Sequence, residues 1–394
     1  MIRAIKKDIY YIGADDTVSE FFENQYPTPQ GMAYNSYVID DERIAVLDTS
    51  DIHTANQWLD NLQEMLAGRT PDYLVIHHME PDHSAVIPEV LKLFPSVTIV
   101  LSQLAAKMFP QFFDTGKLPV RLMVVGENDT LDLGKHRLQF LMAPMVHWPE
   151  VMVSYDTTGQ ILFSADAFGK FGALSECGFT DEEDTGWANE ARRYYVNICG
   201  KFGVSVQQLL KKTQSLPLQM ICSLHGPVIS KNIAHCISLY DKWSRYEAEE
   251  KGVLIAYASI YGHTETAAKY LGEKLLQSGC EKVKLIDLCT THFSYALSEV
   301  FHYDRIVLAA SSYNASVFPP MYHLLHNMQE KACRKKRIGL IENGSWAPSA
   351  GRIMKEMIAG MKEMELLEPV VTIRSSMKAQ DMEQLNQLCR TLLS

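Results

Sequence analysis

Two fold classes are predicted along one chain: an α+β layered domain over residues 1–250 and a doubly wound, parallel α/β domain over residues 251–394. Three observations carry this. The 394 residues exceed what one hydrophobic core usually serves. A polar, charged stretch, KWSRYEAEEKG at 242–252, makes a seam. After the seam, short apolar runs alternate with helical patterns. Before it, strand-like runs are joined by hairpin signals.

In the first half, YYIGA, NSYVIDDERIAVLDT and DYLVIHH read as early strands. The segment ANQWLDNLQEMLAG between them has helical spacing. VTIVLS, RLQFLMAP, VMVSYDTTGQILFSAD and LQMICSLHG follow as further strands. Asp40-Asp41 and Thr158-Gly159 are turn pairs joining neighbours. The expectation is mixed sheets with helices outside.

In the second half, VLIAYA, VKLIDL, RIVLAA, RIGLIE and PVVTIR form five apolar strands. Helices are expected at TETAAKYLGEKLLQSG, from Thr264 to Gly279, and at MYHLLHNMQEKA, GRIMKEMIAGMKEME and AQDMEQLNQLCRTLL. FSYALSEVF supplies another. Five strands alternating with helices make a parallel, doubly wound sheet.

Composition narrows the function. Apolar residues are 47% and charged residues 21%, which supports cores and argues against disorder. A net charge of −10 disfavours nucleic acid, whose phosphates need a basic face. The N-terminus MIRAIKKDIYYIGADD has no apolar core region of a signal peptide, and no run approaches the roughly 18 apolar residues of a membrane span. Eight cysteines are scattered without a CxxC pair, so neither a zinc ribbon nor a disulfide framework is expected. Scattered thiols fit a reducing cytoplasm.

The segment HHMEPDH, residues 77–83, follows the strand DYLVIH directly. Pro81 argues for a loop there. Residues two apart on extended backbone share a face, so His78, Glu80 and Asp82 can converge, with His83 offset. His147, Asp166 and His225 each stand where a later apolar strand stops. A single strand-end histidine is ordinarily a satisfied loop or core residue. Seven such groups together are hard to explain that way. Four imidazoles and three carboxylates exceed one ion's needs. Two ions with three terminal ligands each and one bridging carboxylate use all seven, and three carboxylates with a hydroxide balance two divalent cations. The donor set is hard, leaving zinc, iron or manganese open.

YASIYGHTET, residues 257–266, joins the first strand of the second half to its helix. Ser259, Gly262 and Thr264 bring hydroxyls and a permissive backbone to a helix N-terminus, an anion site. The loop is neither GxGxxG nor GxxxxGK[ST] and holds no lysine, so a phosphate monoester is expected rather than a dinucleotide or triphosphate. The strand-end loops AASSYNASVFPPM and IENGSWAPSAG place Tyr313, Phe318 and Trp346 where they could sandwich a flat ring.

Together these residues resemble the flavodiiron proteins, also called A-type flavoproteins, over essentially the whole chain. The resemblance implies a metallo-β-lactamase-like αββα sandwich followed by a flavodoxin-like five-stranded sheet. Related zinc hydrolases show HxHxDH, and Glu80 stands here for the second histidine, the iron-type pattern. It implies one iron on His78, Glu80 and His147, a second on Asp82, His83 and His225, and Asp166 as the bridge. It places FMN on Ser259, Ile260, Tyr261, Gly262, His263 and Thr264, on Ser312, Tyr313, Asn314, Ala315 and Phe318, and on Asn343, Gly344, Ser345, Trp346 and Ala347. His263 stands where Asn is common, Ser345 where Gly is common, and the Ser311–Asn314 step lacks the usual proline.

Such proteins reduce O2 to water or NO to N2O in the cytoplasm, with FMN feeding the di-iron site. The donor is rubredoxin or a rubredoxin and NADH reductase system. Without a CxxC pair no fused rubredoxin is expected, so the donor is external. The resemblance also implies a head-to-tail homodimer, or a tetramer of two such dimers, pairing one subunit's flavin with its partner's irons. Trp148, Tyr194 and Tyr195 are candidates for the surroundings of the irons. The competing readings are a di-zinc hydrolase, against which Glu80 and the flavin half speak, and a plain electron carrier, which would leave the seven ligands without purpose.

Overall fold

The computed structural model describes residues 2–114, 116 and 120–394. Contacts divide the chain into two compact units, Met1–Tyr195 with Val204–Asp241, and Val196–Gly203 with Lys242–Ser394. This division differs from the boundary expected at residue 250. The aromatic residues of the polar seam are internal: Trp243 is fully buried and donates from Nε1 to Glu249 Oε1 at 2.5 Å. Tyr246 is also buried. Both fall with the second unit.

The first unit holds two sheets. One runs in the order Arg3–Lys6, Ile9–Tyr11, Tyr37–Asp40, Ile44–Leu47, Tyr73–Val75, Thr98–Ser102, Leu122–Val125. Its first four strands are antiparallel, and pairing becomes parallel from Ile44–Leu47 onward. The other runs Thr130–Asp132, Arg137–Met142, Met152–Asp156, Ile161–Phe163, Met220–Cys222.

Side-chain alternation explains the layering. Tyr37, Ile39, Ala45, Leu47, Tyr73 and Val75 join Phe140, Met152 and Phe163 in one core between the sheets. The intervening Val38, Val46 and Leu74 pack on the opposite face with Trp58, Leu62 and Leu66 of the helix Ala55–Leu66. Helix, sheet and sheet are thus welded by period-two patterning, giving the metallo-β-lactamase-like sandwich.

The second unit is a parallel sheet in the order Val283–Asp287, Glu250–Ala258, Tyr303–Tyr313, Lys336–Asn343, then a fifth position split into Met364–Leu366 and Val371–Ile373. The sequence order 2-1-3-4-5 is flavodoxin-like and puts the topological switch between the first and third strands. The expected helix at 351–365 stops at Ala359, and Met364–Leu366 pairs with Lys336–Ile338 instead. Gly360 follows the helix and Glu363 takes a φ of 54°, reversing the chain.

Two other expectations need correction. Pro81–Ser84 is a short helix rather than a loop, because proline at its first position loses no intrahelical bond. Ser311–Tyr313 continue the third strand, and Ser316–Val317 folds back on it through Asn314 and Ala315, whose φ angles are 49° and 57°. No helix among the described residues is long and apolar enough to cross a membrane.

Candidate metal centre and flavin site

The candidate metal ligands gather at strand C-termini. His78 follows Tyr73–Val75, His147 follows Arg137–Met142, Asp166 follows Ile161–Phe163 and His225 follows Met220–Cys222. The strands leading to Asp166 and His225 are parallel neighbours, so both side chains emerge at the same edge. The short helix at Pro81 turns Asp82 and His83 toward them.

Two groups result: His78, Glu80, His147 and Asp166, and Asp82, His83 and His225. In the first, Glu80 Oε2 lies 3.0 Å from both His78 Nε2 and His147 Nε2. Asp166 Oδ2 lies 3.3 Å from the same two nitrogens. In the second, Asp82 Oδ2 is 3.1 Å from His83 Nε2 and 3.3 Å from His225 Nε2. Asp166 Oδ1 faces that pair at 3.4 and 3.5 Å. One oxygen of Asp166 therefore addresses each group. Ligand atoms bound at ~2.1 Å to a common ion stand ~3.0–3.4 Å apart, depending on the bond angle.

Buried polar atoms without partners show the same need for a cation. Both oxygens of Asp82 and both of Asp166 are buried and accept no hydrogen bond. The Nε2 atoms of His83 and His225 face each other at 3.1 Å, sensible when both lone pairs point at one ion. Burial alone would raise the Asp166 pKa. The imidazoles of His78, His147 and His83 facing it overcome this and hold the carboxyl well below its usual range. Burial would likewise lower His83 and His147, but Asp82 beside His83 and the carboxylates Asp166 and Glu80 beside His147 raise them to about 10 and about 9. The residues fit a pair of hard-to-borderline divalent or trivalent ions.

The surroundings orient the ring nitrogens. His78 Nδ1 donates to Glu150 Oε1 at 2.7 Å, and His225 Nδ1 donates to the Ala33 carbonyl at 2.7 Å. Trp148 stands edge-on to His78, with ring centroids 5.2 Å apart. Tyr194 packs on His225 at 5.4 Å, whereas Tyr195 packs on Tyr240 at 5.1 Å. His77 is a structural clamp: its ring pairs with Asp48 and with Ser154 Oγ, and its N–H donates to Asp48 Oδ1. Glu150 and Asp48 escaped the sequence reading. Only their placement after an apolar strand or a ligating histidine hints at them.

The second candidate site is a cleft of about 270 Å³ at the carboxyl edge of the parallel sheet. Every residue expected to hold FMN lines it except Gly262 and Phe318, and Ser311 and Ser375 join them. Gly262 shapes the loop instead, with a φ of 85°, ahead of the helix His263–Gln277. No side chain caps that helix, so its first N–H groups remain available to a phosphate. Thr264 is buried and its hydroxyl meets Ser311 Oγ at 2.9 Å. Phe318 backs Tyr313, ring centroids 5.7 Å apart, rather than facing the cleft. Tyr261 and Trp346 are 89% and 90% exposed at its rim, an arrangement that a bound ring would cover. The cleft fits a flat aromatic carrying a phosphate.

Comparison with known proteins gives a family for each half. The model of the ODP family beta lactamase matches residues 32–226, and the flavodoxin model matches 255–385. The chain is 28% identical to the nitric oxide reductase of Moorella thermoacetica, covering 99% of this chain and 97% of that protein. It is 29% identical to the rubredoxin-oxygen oxidoreductase of Megalodesulfovibrio gigas, covering 97% and 95%. The solved structure of rubredoxin oxygen:oxidoreductase from Desulfovibrio gigas superposes with a TM-score of 0.92 at 25% identity, covering 100% of this chain and 98% of that one. The flavodoxin domain implies FMN, and the paired clusters a di-iron site. The chain thus belongs to the flavodiiron proteins, a family of O2 and NO reductases.

Proposed function

We propose that this chain reduces O2 to water, NO to N2O, or both, at two irons, with electrons relayed through FMN from an external donor such as rubredoxin. The observation that carries the reading is Asp166, whose two oxygens address two complete ligand groups. In the proposal His78, Glu80 and His147 hold one iron, Asp82, His83 and His225 the other, and Asp166 both. When bound, the irons supply the redox chemistry and FMN the electrons in single steps. The protein's part is positioning, charge balance and exclusion of water. His78, His83, Asp166 and His225 are fully buried, whereas the side chains of Glu80, His147 and Asp82 retain 15%, 11% and 10% exposure. Substrate entry is therefore assigned to the side on which Glu80, His147 and Asp82 are exposed.

Metal chemistry is assigned to residues 1–250 and flavin chemistry to residues 251–394. FMN is assigned to the expected contacts with Ser311 and Ser375 added, Gly262 shaping the loop and Phe318 supporting Tyr313. A head-to-tail homodimer, alone or paired into a tetramer, is part of the proposal, as is a cytoplasmic setting that keeps the eight free cysteines reduced. Rubredoxin as donor is supported by the name of the M. gigas relative. The test is anaerobic consumption of NO, and separately of O2, by protein loaded with iron and FMN and supplied with reduced rubredoxin. Loss of both activities in Asp166→Ala, with the flavin still reduced by the donor, supports the reading. Unchanged gas consumption would refute it.

A further inference from the structure

Glu150 is buried beside the candidate metal ligands and is not one of them. Its side chain is 0% exposed. Oε1 accepts from His78 Nδ1 at 2.7 Å and from the Met79 N–H at 3.0 Å. Oε2 is buried and accepts nothing. A carboxylate placed so is costly unless a cation stands close by. The second ligand group lacks such a charge. His225 Nδ1 donates to a neutral carbonyl, that of Ala33, and His83 Nδ1 has no hydrogen-bond partner. Otherwise the groups match, each with two imidazoles, one carboxylate of its own and a share of Asp166.

The geometry points to a built-in asymmetry: Glu150 adds one negative charge behind His78, so the ion on His78, Glu80 and His147 binds more tightly and keeps its ferric state to lower potential than its neighbour. This rests on the di-iron reading. A carboxylate behind a ligating histidine raises that ligand's basicity and favours the higher charge on the metal. When the oxidised pair takes up one electron, one ferric ion becomes ferrous, and that ion is the one on Asp82, His83 and His225. Glu150 is a positioning and tuning residue, acting on the metal through His78.

Glu150→Gln tests this, because it keeps a carbonyl oxygen for both N–H donors and removes the charge. Iron-loaded protein is titrated with dithionite and the half-reduced state followed by electron paramagnetic resonance. The wild type should hold the half-reduced state over a wide range of potential. In Glu150→Gln the lower midpoint should rise more than the upper, narrowing that range, while two irons per chain remain. An unchanged range, or movement of the upper midpoint alone, overturns the inference.

A second measurement does not need that variant to fold. Metal-free protein is titrated with Co2+, and the His78→Ala and His225→Ala variants are compared. His78→Ala should lose the tighter equivalent and His225→Ala the weaker, with the tight step in the wild type about 10–100-fold stronger than in Glu150→Gln where that variant folds. Equal losses, or the reverse order, contradict it. Protein that holds zinc and no iron would defeat the di-iron reading, while the Co2+ comparison would still decide the asymmetry.

Discussion

Asp166 shows how little backbone is needed to couple two ion positions: one side chain at the end of Ile161–Phe163 presents an oxygen to each. Asp166→Ala should reduce iron to well below two per chain, and gas consumption by at least ~100-fold, since even outer partners of a ligand are worth about 10–100-fold. Elemental analysis beside the activity assay checks both. The metal-free protein has its own signature. His83 and His147 carry pKa values raised to about 10 and about 9 by the buried carboxylates. Raised folded-state values stabilise in full below the unfolded value of about 6.5, and that contribution disappears as pH climbs through the folded values. Calorimetry should show the metal-free protein losing thermal stability between about pH 6.5 and 10, and the iron-loaded protein spared that loss. The seven candidate ligands were legible because four of them crowd the segment 78–83 behind one apolar strand, and His147, Asp166 and His225 each follow another. Glu150 was not, because its partner His78 lies 72 positions away and nothing local in HWPE announces burial.

Among elements, the loop before His263–Gln277 and the hairpin after Tyr303–Tyr313 decide the flavin cleft. Gly262 has a φ of 85°, with open space where a Cβ would stand, so the obstacle to another residue is backbone strain rather than collision. Gly262→Ala should cost about 1–2 kcal/mol of local strain and weaken FMN binding by roughly tenfold, read by quenching of flavin fluorescence. Gly262→Asn, a better left-handed residue, should recover much of it. Ser312 lines the cleft, and its Oγ also accepts from the N–H groups of Ser349 and Ala350 at the start of the helix Ala350–Ala359. Ser312→Ala should cost about 1 kcal/mol in thermal unfolding, whatever its effect on the flavin. The regular alternation after residue 250 made the doubly wound sheet readable, because a parallel strand buried on both faces is an unbroken apolar run. The short helix at Pro81 and the strand at Met364–Leu366 were not readable. Each is a handful of residues whose state is set by pairing and ligation rather than by period.

For the whole molecule, the order of sheets in each half follows from where apolar runs fall, and the family membership explains why two such halves share a chain. The seam itself is only partly polar in the fold, since Trp243 and Tyr246 within it are buried and fall with the second unit. The proposed head-to-tail dimer predicts that a mixture of chains lacking FMN binding and chains lacking the irons regains activity, since each supplies what its partner lacks. Mixing Gly262→Pro with Asp166→Ala, and measuring NO consumption against either alone, checks this. The central claim is the nature of the two ions. Metal and flavin analysis of anaerobically purified, untagged protein from iron-replete growth tests it most directly. Two irons and one FMN per chain are expected. Two zincs and no iron would contradict that and make the first unit a hydrolase scaffold.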